Sequence, residues 1–553
     1  MKNKKIILVL SGEIGTGKST VAESLKNHFE FKILSTRDAI IKLAIKKFGQ
    51  EKIAKDRKLL QLYGEKLDKE TKGEWVKNFF QNEINGSDYV IIESVRKQEQ
   101  IDALRKAYGH YIVHVHLYAN PDTLKERFLE REMSKDSTLK QNVLLKKYKE
   151  YKSNETEKQV NILKDKADII VSTDKKVAKD VFIRVASFLN LLGPINKPLV
   201  DVIIGAQYGS EGKGQIVGYL APEYDCLVRV GGPNAGHQVY NETNGVSKPD
   251  VFHVIPSGSR RNPNSKIIIG PGAVISTEVI LDEITKFGID DPSRLIIDPN
   301  ATIISKEDIR IEAKLNKIGG TGQGVGAATA NNILERLKSK KRFKAVNERK
   351  LKQYIKSSHE ELEKIFRVGK NVLLEGTQGT FLSLHHGSYP YVTSRDTTVA
   401  GCLAEAGIGI NRVRKIILVT RTYPIRVQNP IDGNSGPFIN KEIEWSEIAK
   451  RSGIELKELK NKERTSTTDR ERRVAEFSWY ELRKSCELNT PTDIALTFAD
   501  YIHISNRNAR RYDQLTPATT QFIEEIERCS GIPASLISTR FAFRSIIDRR
   551  NWV

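Results

Sequence analysis

Over the first third of the chain, short apolar runs alternate with stretches in which apolar residues return every third or fourth position. KIILVL, KILST, YVIIES, YIVHVHLY and ADIIVST are the runs; IDALRKAYG and DTLKERFLEREM are two of the stretches between them. A short apolar run reads as a buried strand and the longer spacing as an amphipathic helix, so the alternation predicts a parallel α/β sheet. The helical pattern VAKDVFIRVASFLNLL is expected to stop at Gly193-Pro194, and INKP then carries the chain to Pro198. A glycine followed by prolines cannot continue a helix. That places a linker at 194–198, between one domain over 1–193 and another over 199–553. From Leu199 the run LVDVIIG restarts the rhythm, now interrupted by glycine-rich loops at 231–237, 319–326, 375–380 and 386–401. Loops of that length in a compact domain generally carry function. The fold class is α/β throughout.

A chain of 553 residues exceeds one ordinary domain, and its 39% of apolar residues suffices for large cores. No apolar run approaches the ~20 residues that span a bilayer. The start, MKNKKIILVLSGE, is basic and then apolar, but the run leads into a glycine loop, so it reads as a first strand rather than a secretory signal. A cytoplasmic protein is expected. Cys226, Cys402, Cys486 and Cys529 lie far apart with no CxxC pair, which argues against both zinc and a disulfide framework. The net charge is +21, from 90 Lys and Arg against 69 Asp and Glu. Acidic residues are mixed among the lysines, as in LKQNVLLKKYKEYKSN, and no basic stripe interleaved with aromatics is present. Anionic small molecules such as nucleotides explain that balance as well as a polymer does, so nucleic acid is not the expected partner.

GEIGTGKST, between the first strand and a helical stretch, has P-loop spacing. Backbone N–H groups around Gly15, Gly17 and Lys18, after the opening Gly12, suit a β-phosphate. Lys18 suits the β and γ oxygens, and the Ser19 hydroxyl, followed by Thr20, suits Mg2+. With STRD after the second strand, VRKQEQIDALRK after the third and ADIIVSTD near the end, residues 1–193 resemble the nucleoside monophosphate kinases, particularly the deoxynucleoside monophosphate kinases of phages. The resemblance implies that Arg37 and Arg96 grip the acceptor phosphate and that Arg127 and Arg131 close over the transferred group as lid arginines. Planar guanidinium forks suit phosphate. Asp38 or Glu93 would assist the metal or the acceptor, and each also reads as a cap or a solvated carboxylate.

GAQYGSEGKGQ at 205–215 is a second glycine-rich turn after a strand, but no glycine stands five positions before Gly212, so it is not a P-loop of the same kind. It is followed by RVGGPNAGHQV, FHVIPSG, IGGTGQGVGAA, LLEGTQGTFLSLHHGSYPYVTSRDTT, RTSTTDRERRVAEFSW and LTFADY. In that order these motifs resemble adenylosuccinate synthetase along essentially all of 199–553. The resemblance implies a C–N ligase, a homodimer, and a reaction in which a purine 6-oxo group is phosphorylated by a nucleoside triphosphate and then displaced by the amine of aspartate. By matching position His237 would be the general acid at O6, with Gln378 beside it, and Lys213 would hold the transferred γ-phosphate within the cradle of Gly209, Glu211, Gly212 and Gly214. Asn234, Thr321 and Thr393 would seat the 5′-phosphate, and the Gly236 carbonyl would ligate Mg2+. Thr467, Thr468, Arg470 and Arg472 would clamp the aspartate carboxylates.

Two departures from that family stand out. Where adenylosuccinate synthetases carry an aspartate that takes the N1 proton of inosinate and helps bind Mg2+, this chain has Ser210. A hydroxyl cannot replace a carboxylate base directly. Three readings are open: an inactive domain, a base elsewhere, or a carboxylate exchanged for room and polarity beside C2. The third matches the phage 2-aminoadenylosuccinate synthetase branch, which carries serine here and uses dGMP. The shorter hydroxyl makes room for the guanine 2-amino group, and TGQGVGAA and DRERRV also look like that branch. The second departure concerns the triphosphate. The family reads guanine through a lysine and an aspartate, whereas here Phe498 replaces the lysine and Asp500 remains, and the end runs ISTRFAFRS. ATP or dATP is therefore expected ahead of GTP. The expected function is bifunctional: ligation of aspartate to dGMP, giving N6-succino-2-amino-dAMP, and phosphorylation of a nucleoside monophosphate. An IMP or dIMP ligase with a relocated base, and a nucleotide-sensing or phage-defence protein with one regulatory domain, are the alternatives.

Overall fold

The computed structural model describes residues 5–49, 57–135, 141–153, 155–174, 176–193, 195–243, 246–315, 318–334, 343–464, 470–542 and 544–551. The chain divides into two compact units, Met1–Gly193 and Pro194–Val553.

In the first unit the apolar runs form a five-stranded parallel sheet, ordered Lys32–Ser35, Tyr89–Glu93, Ile6–Ser11, Ile112–Tyr118 and Ile169–Ser172. The central strand Ile6–Ser11 is buried along its whole length, as expected of a parallel strand covered on both faces. Helices Lys18–Phe29 and Ala178–Phe188 cover one face through Val21, Leu25, Val181 and Val185. Helices Glu74–Asn85 and Gln98–Tyr108 cover the other through Trp75, Phe80, Ile101 and Leu104. From the end of the central strand, Gly12 to Gly17 wind into the helix Lys18–Phe29. Gly12 has φ +141, and a Cβ there would lie 2.2 Å from the Leu117 carbonyl oxygen, so no other residue fits.

One boundary differs from the sequence reading. The last helix of this unit ends at Phe188 rather than at Gly193-Pro194. Asn190 adopts a left-handed φ of 54. Its N–H reaches the Ser187 carbonyl at 2.9 Å, and Leu191 N–H closes on Ala186 at 3.0 Å. Asparagine supplies the left-handed stop that had been attributed to the glycine and prolines downstream.

The second unit is built on nine strands, edge to edge Leu295–Ile297, Lys266–Ile269, Cys226–Arg229, Val372–Glu375, Val200–Gly205, Val413–Arg421, Asp493–Thr497, Ala534–Ser538 and Ile546–Asp548. All pairings are parallel except the last. Val200–Gly205 is fully buried, and apolar clusters lie on both faces of the sheet. The carboxyl ends of five neighbouring strands finish on Arg229, Glu375, Gly205, Arg421 and Thr497. In an open parallel sheet this end is where ligands bind. A hairpin of His237–Thr243 and Val246–Phe252 and a small sheet of Ile425–Val427, Arg472–Ala475 and Glu442–Ile443 complete the walls. Among the described residues no helix is long and apolar enough to cross a membrane.

Candidate active site

The second phosphate loop follows Gly205 and leads into the helix Lys213–Leu220. Gly209, Ser210 and Gly212 all have positive φ (87, 57 and 86), which turns the backbone tightly around a buried carboxylate, that of Glu211. Glu211 Oε1 accepts from the N–H groups of Gln207 (3.1 Å) and Gly209 (2.8 Å), while Oε2 takes Lys213 Nζ at 2.7 Å. A Cβ on Gly205 or Gly379 would stand 2.4 or 2.3 Å from these oxygens, so both positions must lack a side chain. Lys213 is thus buried against an internal anion at the start of a helix, where a phosphate can compete for it. Ser210 is exposed, and its carbonyl accepts from Arg421 Nη1 at 3.3 Å.

A cavity of about 580 Å³ opens at this loop. Its walls bring together residues far apart in sequence: Gly209, Ser210, Gly212, Lys213 and Gly214; Asn234, Gly236 and His237; Thr321; Gln378 and Thr393; Arg470 and Arg472. Thr321 Oγ1 donates to Asn234 Oδ1 (2.8 Å), and Gln378 Nε2 donates to Thr393 Oγ1 (2.9 Å), so the three residues expected at a 5′-phosphate sit in two pre-formed pairs. Glu211 lies beneath the wall rather than in it. Asp500 does not line the cavity: it is buried, with Oδ2 accepting from Arg507 Nε at 3.0 Å, and burial pushes its pKa up to about 6 against that arginine. Thr467 and Thr468 lie outside the described residues.

His237 opens the hairpin and faces the end of the strand Val372–Glu375. Its Nδ1 is 2.5 Å from Glu375 Oε1. Glu375 also accepts from Ser257 N–H (2.8 Å) and from the Ser257 hydroxyl, and Arg229 stands 3.6 Å away. Burial raises the Glu375 pKa, but Arg229, His237 and Ser257 outweigh it and bring the carboxyl down to about 2. Burial and Arg229 lower His237 to about 4 despite that carboxylate. The imidazole is therefore neutral at rest, with Nδ1–H fixed on Glu375 and Nε2 left for chemistry. A carboxylate that orients a histidine in this way also stabilises the imidazolium formed during a proton transfer.

Also in the cavity wall, Glu463 collects Arg421 Nη2 (2.8 Å), Arg472 Nη1 (3.1 Å) and the Tyr501 hydroxyl (2.7 Å). Burial acts against its ionisation, and the two guanidiniums with Tyr501 overcome that, bringing its pKa to about 2. Arg421 also stacks on Phe498, with Cζ 3.8 Å from the ring centre. Phe498 packs on Phe541 (centroids 4.5 Å apart), and Phe541 on Tyr240 (5.8 Å). The result is an aromatic wall of Phe498, Phe541 and Tyr240 in the cavity. Glu375, Glu463, Arg421 and Phe541 were not singled out from sequence. Glu375 had left one signal, as a carboxylate ending a buried apolar strand within LLEGTQGT.

In the first unit, Lys18 Nζ lies on the Gly12 and Glu13 carbonyls (2.7 and 2.9 Å), folded over its own loop. Ser19 donates to Glu93, whose pKa burial raises against the pull of Lys18 and that hydroxyl. The Thr36 hydroxyl donates to the Ser94 carbonyl (2.9 Å) and so ties STRD to the segment carrying Arg96. Arg37 and Asp38 are exposed there, and Asp38 N–H caps onto Ser35. Of the two expected lid arginines, Arg127 stands at the phosphate loop, on the Gly15 carbonyl (3.4 Å) and on Thr173 (3.0 and 2.7 Å), and Arg131 lies on Glu132 and the Phe128 ring.

Among the described residues no cluster of three or more His, Cys, Asp or Glu could hold a metal ion. Mg2+ fits all the same, because it is commonly bound by one or two protein oxygens and completed by phosphates and water. The Gly236 carbonyl in the cavity wall and the Ser19 hydroxyl beside Glu93 are such oxygens.

Fold and site together define a nucleotide-handling α/β enzyme with two phosphate loops. A family model described as an AAA domain matches residues 8–159, and one described as adenylosuccinate synthetase matches 202–341 and 328–507. The adenylosuccinate synthetase of Methanocaldococcus jannaschii is 36% identical over 358 residues, covering 63% of this chain and 96% of its own. The succinoaminodeoxyadenylate synthetase of cyanophage S-2L, solved with dGMP and with dATP as an energy donor, matches at TM-score 0.54 and 26% identity, over 64% of this chain and 96% of its own. The fully ligated adenylosuccinate synthetase of Plasmodium falciparum shares the fold at TM-score 0.52 and 22% identity, over 63% and 99%. The chain belongs to the adenylosuccinate synthetase family and carries a P-loop kinase-like domain ahead of the ligase.

Proposed function

We propose that the ligase unit condenses L-aspartate with dGMP, at the expense of ATP or dATP, to give N6-succino-2-amino-dAMP, and that the N-terminal unit phosphorylates a nucleoside monophosphate. The observation that carries the first part is Ser210: exposed at the cavity, left-handed and without a carboxylate, beside a phosphate loop and a His237–Glu375 pair that are otherwise complete. The likeness to the cyanophage enzyme, which is solved with dGMP and dATP, supports it.

In the first step the γ-phosphorus breaks its bond to the donor's β-phosphate oxygen and bonds to purine O6, with Lys213 passing from Glu211 to the moving phosphoryl group. His237, once Nε2 has taken a proton from solvent and Glu375 holds the resulting imidazolium, donates to the charge on O6, and Gln378 holds that edge of the base. In the second step the amine nitrogen of aspartate bonds to C6, the C6–O6 bond breaks, and phosphate leaves and takes up the amine proton. Arg470 and Arg472, with Thr467 and Thr468, would receive the aspartate carboxylates. Mg2+, held by the Gly236 carbonyl and phosphate oxygens, would neutralise charge on the transferring group. With Ser210 unable to act as a base, the N1 proton passes to a phosphate oxygen or water. The aromatic wall of Phe498, Phe541 and Tyr240 stacks a donor base without the family's lysine, which favours an adenine nucleotide.

In the N-terminal unit, Gly12 to Thr20 would bind the donor phosphates and Ser19 with Glu93 the metal, while Arg37 and Arg96 hold the acceptor. Arg127 already stands at the phosphate loop, and Arg131 would reach the transferred group only after leaving its present partners. A homodimer formed through the ligase unit, in the cytoplasm, belongs to this reading. Identity with archaeal adenylosuccinate synthetases favours a second reading, IMP or dIMP as the acceptor. The test offers dGMP, GMP, dIMP and IMP separately with aspartate, Mg2+ and ATP, and looks for succinylated nucleotide by mass. Product from dGMP alone is expected. Product from IMP or dIMP alone would replace the first reading with the second.

A further inference from the structure

One carboxylate at the cavity is used by none of this chemistry. Glu312, on the helix Lys306–Leu315, lines the same cavity as Thr321 and Asn234. Burial raises the Glu312 pKa, with Asp308 adding to the rise, and the backbone N–H groups of Gly324, Gly326 and Val325, where the ten-residue helix Val325–Leu334 begins, donate to the carboxylate and act against it. A Cβ on Gly326 would stand 3.7 Å from Glu312 Oε1 and 3.8 Å from the Ser394 Cβ. Carboxylate, helix start and the Thr393–Ser394 segment therefore meet at one corner. Oε2 is buried there without a hydrogen-bond partner. Three amides at the positive end of a helix make a seat for an oxyanion. The residues expected to receive the nucleotide's 5′-phosphate (Asn234, Thr321 and Thr393) are all neutral, so a carboxylate in this corner bears directly on how a phosphate binds.

We propose that the Glu312 carboxylate is a built-in stand-in for the 5′-phosphate, and that it sets how tightly the monophosphate is held. This rests on the reading that Asn234, Thr321 and Thr393 seat that phosphate. Phosphate and carboxylate both favour the amides at the start of the helix, so the nucleotide binds against a resident competitor of the same charge. Without ligand, Glu312 keeps the glycine loop folded. With ligand, it must turn away or endure the repulsion. It acts on the substrate through this seat and is an affinity-determining residue rather than a catalytic one.

The experiment measures dissociation constants by calorimetry for two pairs, dGMP with deoxyguanosine and IMP with inosine, on the full chain and on Glu312→Gln. The monophosphate-to-nucleoside affinity ratio reads the phosphate seat whichever base is preferred, so failure of the dGMP reading leaves this measurement intact. In Glu312→Gln the ratio is expected to rise about tenfold or more, the scale of removing a like charge a few ångströms away, while nucleoside affinity stays put. Glu312→Asp, with the charge retained but withdrawn by one methylene, should fall between the two and serves if the glutamine variant does not fold. An unchanged or lowered ratio, or equal weakening of nucleoside and nucleotide, would make Glu312 a brace for the loop and overturn the proposal. Binding of neither pair would remove the seat and the proposal with it.

Discussion

Glu375→Gln is the sharpest perturbation of the ligase site, because it keeps the shape of the side chain and removes only the charge. Glu375 is fully buried, and its pKa of about 2 against an ordinary 4.5 corresponds to about 3 kcal/mol in favour of the ionised form. The amide loses that and adds a conflict: Ser257 N–H donates to Oε2 while His237 Nδ1–H donates to Oε1, so the NH2 end must face a donor. Leaving a buried donor unpaired costs about 1–3 kcal/mol, and Arg229 loses its nearby carboxylate. The ligase unit should lose roughly 3–5 kcal/mol of stability, the scale for breaking a buried ion pair. If His237 acts at O6 through Nε2, its orientation and the stability of its protonated form suffer too. The rate of succinylated-nucleotide formation at saturating substrates should then fall about 10²–10⁴-fold, the worth of a positioned proton donor, with little change in KM. The assay is product mass against time, beside thermal unfolding and nucleotide binding. A folded Glu375→Gln protein that binds nucleotide and turns over within twofold of the parent would refute the assignment of His237 as the general acid.

Ser210→Asp should restore the family carboxylate, cutting turnover of dGMP at least ~100-fold by crowding the 2-amino group and leaving it wrongly paired; product masses from dGMP and IMP tested side by side would show it. Arg472→Ala should raise KM for aspartate about 10–100-fold and leave Glu463 buried with one arginine fewer, which steady-state kinetics over a range of aspartate checks. Phe541→Ala should raise KM for the triphosphate several-fold, since an aromatic contact is worth about 0.5–1.5 kcal/mol beyond its area; equal loss for ATP and GTP is expected, and no loss for either would remove Phe541 from the donor site. Acidification should destabilise the ligase unit in two stages. Unfolded chains protonate His237 near pH 6.5, but the folded protein resists until about 4, so stability falls as pH drops through that window. Glu375 and Glu463, both depressed to about 2, then lose their contribution as pH falls from about 4.5 toward 2. Urea unfolding at a series of pH values, followed by circular dichroism, reads both stages.

The alternation of apolar runs and helical spacing determined the parallel sheets, because burial on both faces leaves its mark residue by residue along a strand. The two phosphate loops were equally legible, since a backbone that wraps an anion needs glycines and a lysine close together in sequence, as in GEIGTGKS and GSEGKG. The position of Ser210 could be read for the same reason. Local chemistry misled at the end of the first unit, where Asn190 stopped a helix that the prolines were expected to end. Tertiary structure alone decided which charges face each other. Glu375 meets His237 from 138 positions away, Glu463 meets Arg421 from 42, and Glu312 reaches the backbone N–H groups at the start of the next helix. It also took Asp500 out of the cavity wall and gave it to Arg507. Such pairings are set by how strands neighbour one another at the carboxyl edge of a sheet, and no spacing within a motif encodes them.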